Sequence, residues 1–248
     1  MNERFSVISH QGLPLLVYLP WWEEGILHGM TLRDVSFRAP DIEQAMPLFY
    51  NACGTCELLT LKQTHSDSFL DIRPPGEIER LRRKNRSLLL CQEGDAVIAW
   101  EGLRTAHGLA VGVTTADCVP VMVRSPRGWA VIHAGWRGLA NGIIAKVASA
   151  LGDPHEAVVL ACAGPERYEV GEEVVEAIGA SAVTRSSSSG RALLDTAATA
   201  CKQLLEFLPE KSVHRAGVCS IGDARFHSYR RDGERAGRNL TFIMMSSR

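Results

Sequence analysis

Short apolar runs alternate with polar breaks along most of this chain. SLLLC (Ser87 to Cys91), DAVIAW (Asp95 to Trp100), LAVGVTT (Leu109 to Thr115), VPVMV (Val119 to Val123) and WAVIHA (Trp129 to Ala134) are short, apolar and rich in β-branched residues. That is the pattern of buried strands. RSPRG (Arg124 to Gly128) separates the last two and carries Pro and Gly, which predicts a hairpin. After Gly138 the period changes. LANGIIAKVASALG places Leu139, Ile143, Val147, Ala150 and Leu151 at the three-and-four spacing of an amphipathic helix, with Gly152 and Pro154 as its stop. AVVLACAG (Ala157 to Gly164) and VHRAGVCS (Val213 to Ser220) read as strands, and VGEEVVEAIGA and DTAATACKQLLEFL as helices. Strands and helices intermix without regular βαβ units, and the hairpin signal favours a mixed or antiparallel sheet. The expectation is one α+β domain over residues 1–248, a mixed, sandwich-like β core with helices packed outside.

Two polar stretches interrupt the pattern. RSSSSGR (Arg185 to Arg191) is expected to be a surface loop. RPPGEIERLRRKNR (Arg73 to Arg86) opens with a Pro-Pro-Gly break, and its charges read as a solvated helix face or loop.

Composition narrows the class. The chain has 248 residues, 46% of them hydrophobic, enough for a large core, and a formal net charge of −1. Such a balance offers no electrostatic footprint for nucleic acid or an anionic membrane. LPLLVYLP near the start is broken by two prolines and followed by Glu23 and Glu24, so neither a signal peptide nor a membrane span is expected. Seven cysteines in largely apolar contexts suggest free thiols and a cytoplasmic protein.

The chemistry concentrates in TTADCVPVMV and VIHAGWRG. If their strands pair through RSPRG, Cys118 and His133 reach the same end of the hairpin, in range to act as metal ligands or as nucleophile and base. A buried packing cysteine is the plain alternative for Cys118. Asp117 stands beside it at a strand end. Arg137 follows a tight turn, where a guanidinium would favour an anion or form a structural ion pair. His65 in LTLKQTHSDSF is linked to the others by no local spacing. Cys53 and Cys56 form CGTC with no second pair nearby and read as a turn. FHSYRRDGERAGRNL (Phe226 to Leu240) is either a charged tail or a loop whose arginines reach a phosphate or carboxylate.

Together, KQTH, GDAVIAW, TADCVPV, VIHAGWRG and SYRRDGERAGRN resemble the laccase-domain family, whose members carry the labels multicopper polyphenol oxidase, purine nucleoside phosphorylase and peptidoglycan editing factor. The resemblance runs from about Leu58 to the C-terminus. It implies a fold like that of cysteine-dependent toxin deamidases, and a metal held by His65, Cys118 and His133. Two imidazoles and a thiolate suit zinc and leave one position open, with copper the other candidate. The resemblance further implies phosphorolysis of purine nucleosides, with adenosine deamination beside it. Arg137, Arg230 and Arg231 are then the candidates for phosphate. Cys118, His133 and Asp117 are the catalytic candidates, Asp117 as an acid/base or an orienting group. A small-molecule substrate is expected as partner, with no nucleic acid and no membrane. Three other functions fit parts of the pattern. One is a cysteine-type amidohydrolase acting on peptidoglycan precursors. Another is a copper-dependent polyphenol oxidase, although the eight histidines show no His-x-His pair of the kind a trinuclear copper cluster uses. The last is a binding protein without turnover. LACAGPERYEV and TLRDVSF depart from the family pattern and bear on the walls of the substrate pocket.

Overall fold

The computed structural model describes residues 1–39, 41–54, 56–73, 76–84, 88–103, 108–179, 182–186 and 191–245. Two six-stranded sheets lie face to face. The first runs β1 (Phe5–His10), β2 (Leu13–Tyr18), β3 (His28–Thr31), β15 (Asn239–Met245), β7 (Leu109–Thr115) and β4 (Glu57–Leu59). The second runs β14 (Val213–Arg215), β10 (Glu156–Val159), β8 (Val119–Ser125), β9 (Gly128–Ala134), β6 (Ala96–Trp100) and β5 (Phe69–Ile72). A small third sheet joins β11 (Glu169–Val170), β13 (Ala192–Leu194) and β12 (Val183–Ser186). Parallel pairs (β4 with β7, β5 with β6, β10 with β14) sit among antiparallel ones, so the sheets are mixed as expected.

Both faces of each large sheet are covered, which explains runs of apolar residues rather than strict alternation. Along β9, Trp129 and Val131 face the space between the sheets, where they meet Val111 and Val113 of β7 and Ile243 of β15. Ala130, Ile132 and Ala134 face the other way, onto α4 (Trp136–Ala140), α5 (Ile143–Leu151) and α7 (Thr196–Leu204). The far face of the first sheet is closed by α2 (Ile42–Cys53) through Ile42, Met46 and Phe49. Truncating a fully buried side chain such as Ile132 to Ala would remove about 2–5 kcal/mol. The remaining helices are short: α1 (Leu19–Glu23), α3 (Glu77–Lys84), α6 (Glu172–Ile178) and α8 (Tyr229–Asp232).

The hairpin forms as predicted, with Pro120 opposite His133 and Ser125 opposite Gly128, so the turn itself is only Pro126–Arg127. Several expectations are corrected. Leu88 to Cys91 is a turn and not a strand, with Leu90 at φ 52°; Ser87 lies outside the described residues. The helix expected over 139–152 is two helices, because Gly142 at φ 76° breaks it. The strands expected over 157–164 and 213–220 end at Val159 and Arg215, and one isolated bridge between Cys162 and Cys219 continues their pairing. Arg185 and Ser186 belong to β12 rather than to a loop; 187–190 lie outside the described residues. Residues 77–84 form a helix, α3. Cys53 ends α2, Thr55 of CGTC lies outside the described residues, and none of the seven cysteines forms a disulfide. No helix among the described residues is long and apolar enough to cross a membrane.

Candidate metal centre

The chain crosses from the first sheet to the second twice at one end of the sandwich. Residues after β4 carry Gln63, Thr64 and His65 over to β5, and Ala116, Asp117 and Cys118 link β7 to β8. His133 lies near the end of β9, on the face toward the first sheet. The three ligand atoms of His65, Cys118 and His133 all lie within 4.8 Å of one another, and the two imidazoles meet edge to face at 4.9 Å. Gly135 permits this convergence. A Cβ there would stand 3.0 Å from His65 Cδ2 and 3.4 Å from Cys118 Sγ.

A buried carboxylate organises the cluster. Asp95, just before β6, is wholly inaccessible. Its Oδ1 lies 2.7 Å from His133 Nδ1 and accepts the His65 amide at 3.0 Å; its Oδ2 accepts the Ser66 amide at 2.7 Å and the Ser66 hydroxyl at 2.8 Å. One side chain therefore orients His133 and folds the loop that carries His65. Burial alone would raise the carboxyl's pKa, but the bonds from His133 and Ser66 hold it well below the usual carboxylate range. With Asp95 occupying Nδ1, Nε2 of His133 is left for a ligand. Gln63 fixes the other side of the loop: its Nε2 donates to the Thr114 carbonyl and its Oε1 accepts the Thr114 amide, both at 2.7 Å.

Burial pushes the Cys118 thiol up, but the neighbouring His133, and His65 after it, bring it down to about 6. Burial likewise disfavours the His133 cation, yet Cys118 and Asp95 raise it to about 9. The pair favours a thiolate beside an imidazolium, so the donor set already holds the thiolate that a metal requires.

The centre opens into a cavity of about 470 Å³. Arg137, Arg230 and Arg238 line it with Trp136, Tyr168 and Tyr229. Arg137 lies over the Trp136 ring at 4.1 Å and Arg230 over Tyr168 at 5.0 Å. Asp117 lines it too, with φ 92°, but both its oxygens are engaged: Oδ1 accepts the Ser220 hydroxyl and Oδ2 the Arg230 amide, each at 2.7 Å. Arg231 is turned into its own loop. It donates to the carbonyls of Ser220 at 2.9 Å and Phe226 at 2.6 Å and pairs with Asp232. The region read as a possible charged tail is thus α8 and the approach to β15, and it walls the cavity.

Asp95, Gln63, Gly135, Tyr168 and Arg238 were not singled out in the sequence. GDAVIAW, KQTH, HAGWRG, RYEV and GRN contain them, but their roles depend on partners far along the chain.

A family model described as multi-copper polyphenol oxidoreductase laccase matches residues 35–246. The chain is 36% identical over 146 residues to a purine nucleoside phosphorylase of Xylella fastidiosa (strain 9a5c), covering 54% of this chain and 56% of that one. The match thus spans little more than half of that relative. A purine nucleoside phosphorylase of Bacteroides thetaiotaomicron is 32% identical over 207 residues, 76% of this chain and 73% of its own length. A protein named adenosine deaminase RL5, from an unknown prokaryotic organism, is 31% identical over 204 residues, 75% of this chain and 74% of its own. The crystal structure of YlmD from Geobacillus stearothermophilus shares the fold with a TM-score of 0.78 at 20% identity, over 99% of this chain and 100% of that one.

Proposed function

The chain belongs to the multi-copper polyphenol oxidoreductase laccase family, and on that premise we propose that it is a zinc-dependent purine nucleoside phosphorylase. Its substrates in this reading are adenosine, inosine, guanosine and methylthioadenosine, with adenosine deamination as a side activity. The relatives' names support an enzyme of this kind. The observation that carries the reading is one cavity that joins a His-Cys-His cluster to three guanidinium groups. Phosphorolysis needs both an electrophilic centre and a seat for a phosphate dianion.

The residues fit a metal by three tests: the donor set is two imidazoles and a thiolate, Asp95 leaves Nε2 of His133 free, and the absent side chain at Gly135 gives the ligands room. A zinc ion held by His65, Cys118 and His133 would supply Lewis-acid polarisation of bound substrate. Arg137, Arg230 and Arg238 bind and orient phosphate through charge-assisted hydrogen bonds. A phosphate oxygen then bonds to C1′ of the ribose as the C1′–N9 bond breaks. The base leaves with the bonding pair and takes up the proton that the hydrogenphosphate gives up, giving free base and ribose 1-phosphate. Asp117, with both oxygens engaged, acts as an orienting group that holds the Arg230 backbone against the cavity.

The test is to incubate the protein with adenosine or inosine and phosphate. Ribose 1-phosphate and free base are expected, and their loss in His133→Ala. If no ribose 1-phosphate, adenine or inosine forms above the His133→Ala background, the reading fails. Metal analysis is expected to give one zinc per chain, lost in Cys118→Ser; copper in its place would overturn the choice of metal.

A second reading has its own observation. Asp95, His133 and Cys118 stand in the order orienter, base, nucleophile, and the thiol is already lowered to about 6. It is a cysteine amidohydrolase. Metal-free protein that keeps its activity and loses it on alkylation of Cys118 would favour this reading over the phosphorylase.

A further inference from the structure

Five non-glycine residues among those described hold a positive φ, and three of them, His65, Leu90 and Asp117, line the metal cavity. His65 and Asp117 serve the metal loop and the clamp on Arg230. Leu90 has no such duty. At φ 52° an L-leucine crowds its own backbone, a conformation that glycine or asparagine takes far more readily. Nor does the core reward it, because the side chain is 47% exposed. The turn is nevertheless firmly built. Buried Thr60 accepts the Leu90 amide on its hydroxyl at 3.1 Å, donates its own amide to the Leu88 carbonyl at 3.2 Å and accepts the Cys91 amide at 3.2 Å. An apolar side chain is thus held rigidly, on strained backbone, at the wall of a polar cavity.

Tyr229 is its counterpart. It is 51% exposed and lines the same cavity. The backbone around it is fixed by the Arg230 amide on Asp117 and by the Arg231 amide on Ser228 Oγ at 3.2 Å. Among the described residues, Trp136 and Tyr168 each carry a guanidinium over the ring, whereas Tyr229 has none stacked on it and is met by Arg238 only through its charge. Among the described residues, two of the five exposed large hydrophobic side chains therefore stand at this one cavity.

We propose that Leu90 and Tyr229 are the base-binding contacts: exposed apolar surfaces that pack against the flat faces of a purine ring. The ligand cluster and the arginines attend to ribose and phosphate. This rests on the phosphorylase reading and deepens it. Packing against a ring face reads no hydrogen-bond pattern, so adenine, hypoxanthine and guanine nucleosides are accepted with similar KM.

Leu90→Gly and Tyr229→Ala, with Tyr229→Phe as the conservative variant, test it on zinc-loaded protein. KM for adenosine and KM for phosphate are measured separately. Leu90→Gly and Tyr229→Ala are each expected to raise KM for adenosine about tenfold and to leave that for phosphate within about twofold. Tyr229→Phe keeps the wild-type value. Glycine relieves the positive φ, so Leu90→Gly retains its melting temperature and reports the side chain alone. An adenosine KM unchanged in both variants, or a phosphate KM rising in parallel, overturns the proposal. Equilibrium titration with adenine separates it from the reading it rests on. If wild type turns over no nucleoside but binds adenine, and both variants weaken that binding, the phosphorylase reading falls and the base contacts stand. Adenine binding absent from wild type, or equal in the variants, removes the contacts.

Discussion

A missing methyl group and a buried carboxylate set the geometry at the scale of single residues. Gly135→Ala would push a Cβ against His65 and Cys118, which already crowd that point. Its φ of −69° strains no side chain, so the fold should survive. Zinc affinity is expected to fall about tenfold or more with little change in melting temperature, read by competition with a chelator and by a thermal melt. Protonation gives a second prediction. Above pH about 9 the Cys118–His133 pair is thiolate and neutral imidazole, and metal displaces no proton from it. Between about 6 and 9 His133 carries a proton that metal must displace, and below about 6 Cys118 carries one too. For this pair, zinc affinity therefore declines by about one decade per pH unit below pH 9, and by about two below pH 6. Calorimetry in buffers of different ionisation enthalpy counts the protons released.

Among the elements, the join between β2 and β3 rests on a histidine kept neutral. His28 is fully buried, its Nε2 accepting the Tyr18 amide at 3.1 Å and its Nδ1 donating to the Ile26 carbonyl at 2.8 Å. Burial lowers its pKa to about 4. The unfolded chain, with an ordinary value near 6.5, binds the proton more readily, so stability falls as pH drops through that value toward 4. The loss approaches about 3 kcal/mol at pH 4. Denaturant melts of wild type against His28→Gln should show this slope in wild type and its absence in the variant. A wild type equally stable at pH 7 and pH 4.5 would refute it. At the same scale, hydrophobic spacing found α5 but not its separation from α4. The apolar face is continuous through the break at Gly142, and only the backbone turn reveals it.

Over the whole molecule, the order of the strands matters more than any one of them. β15 is nearly the last segment of the chain, yet it lies inside the first sheet, paired with β3 and over seven residues with β7. Its start at Asn239 lies opposite Thr115, so it also seats Arg238 at the cavity. Deleting residues 239–248 would expose two inner strand edges and open the core at Phe242 and Ile243. No cooperative thermal transition is expected from such a chain. The same topology accounts for the site. His65 and Cys118 ride on two separate crossings between the sheets, and His133 lies near the end of the strand beneath them, so the three side chains converge although 68 positions separate the first from the last.

The mixed β core, the β8–β9 hairpin and the nearness of Cys118 to His133 are legible in the residue order. Each follows from local apolar runs and a turn, the short-range information that periodicity carries. The residue order also carried the family motifs, and through them His65, which no spacing ties to the other two. The tertiary structure alone decided the rest. That Asp95 serves both His65 and His133, that Asp117 is a tie between loops, that Arg231 faces inward while Arg238 faces the cavity, and that Leu90 is displayed rather than buried all depend on partners distant in the chain. Hydrophobic pattern fixes which face of an element is covered. It does not fix where two loops from different sheets will meet, because that is set by strand order and crossover, and these are settled only when the sheets pack.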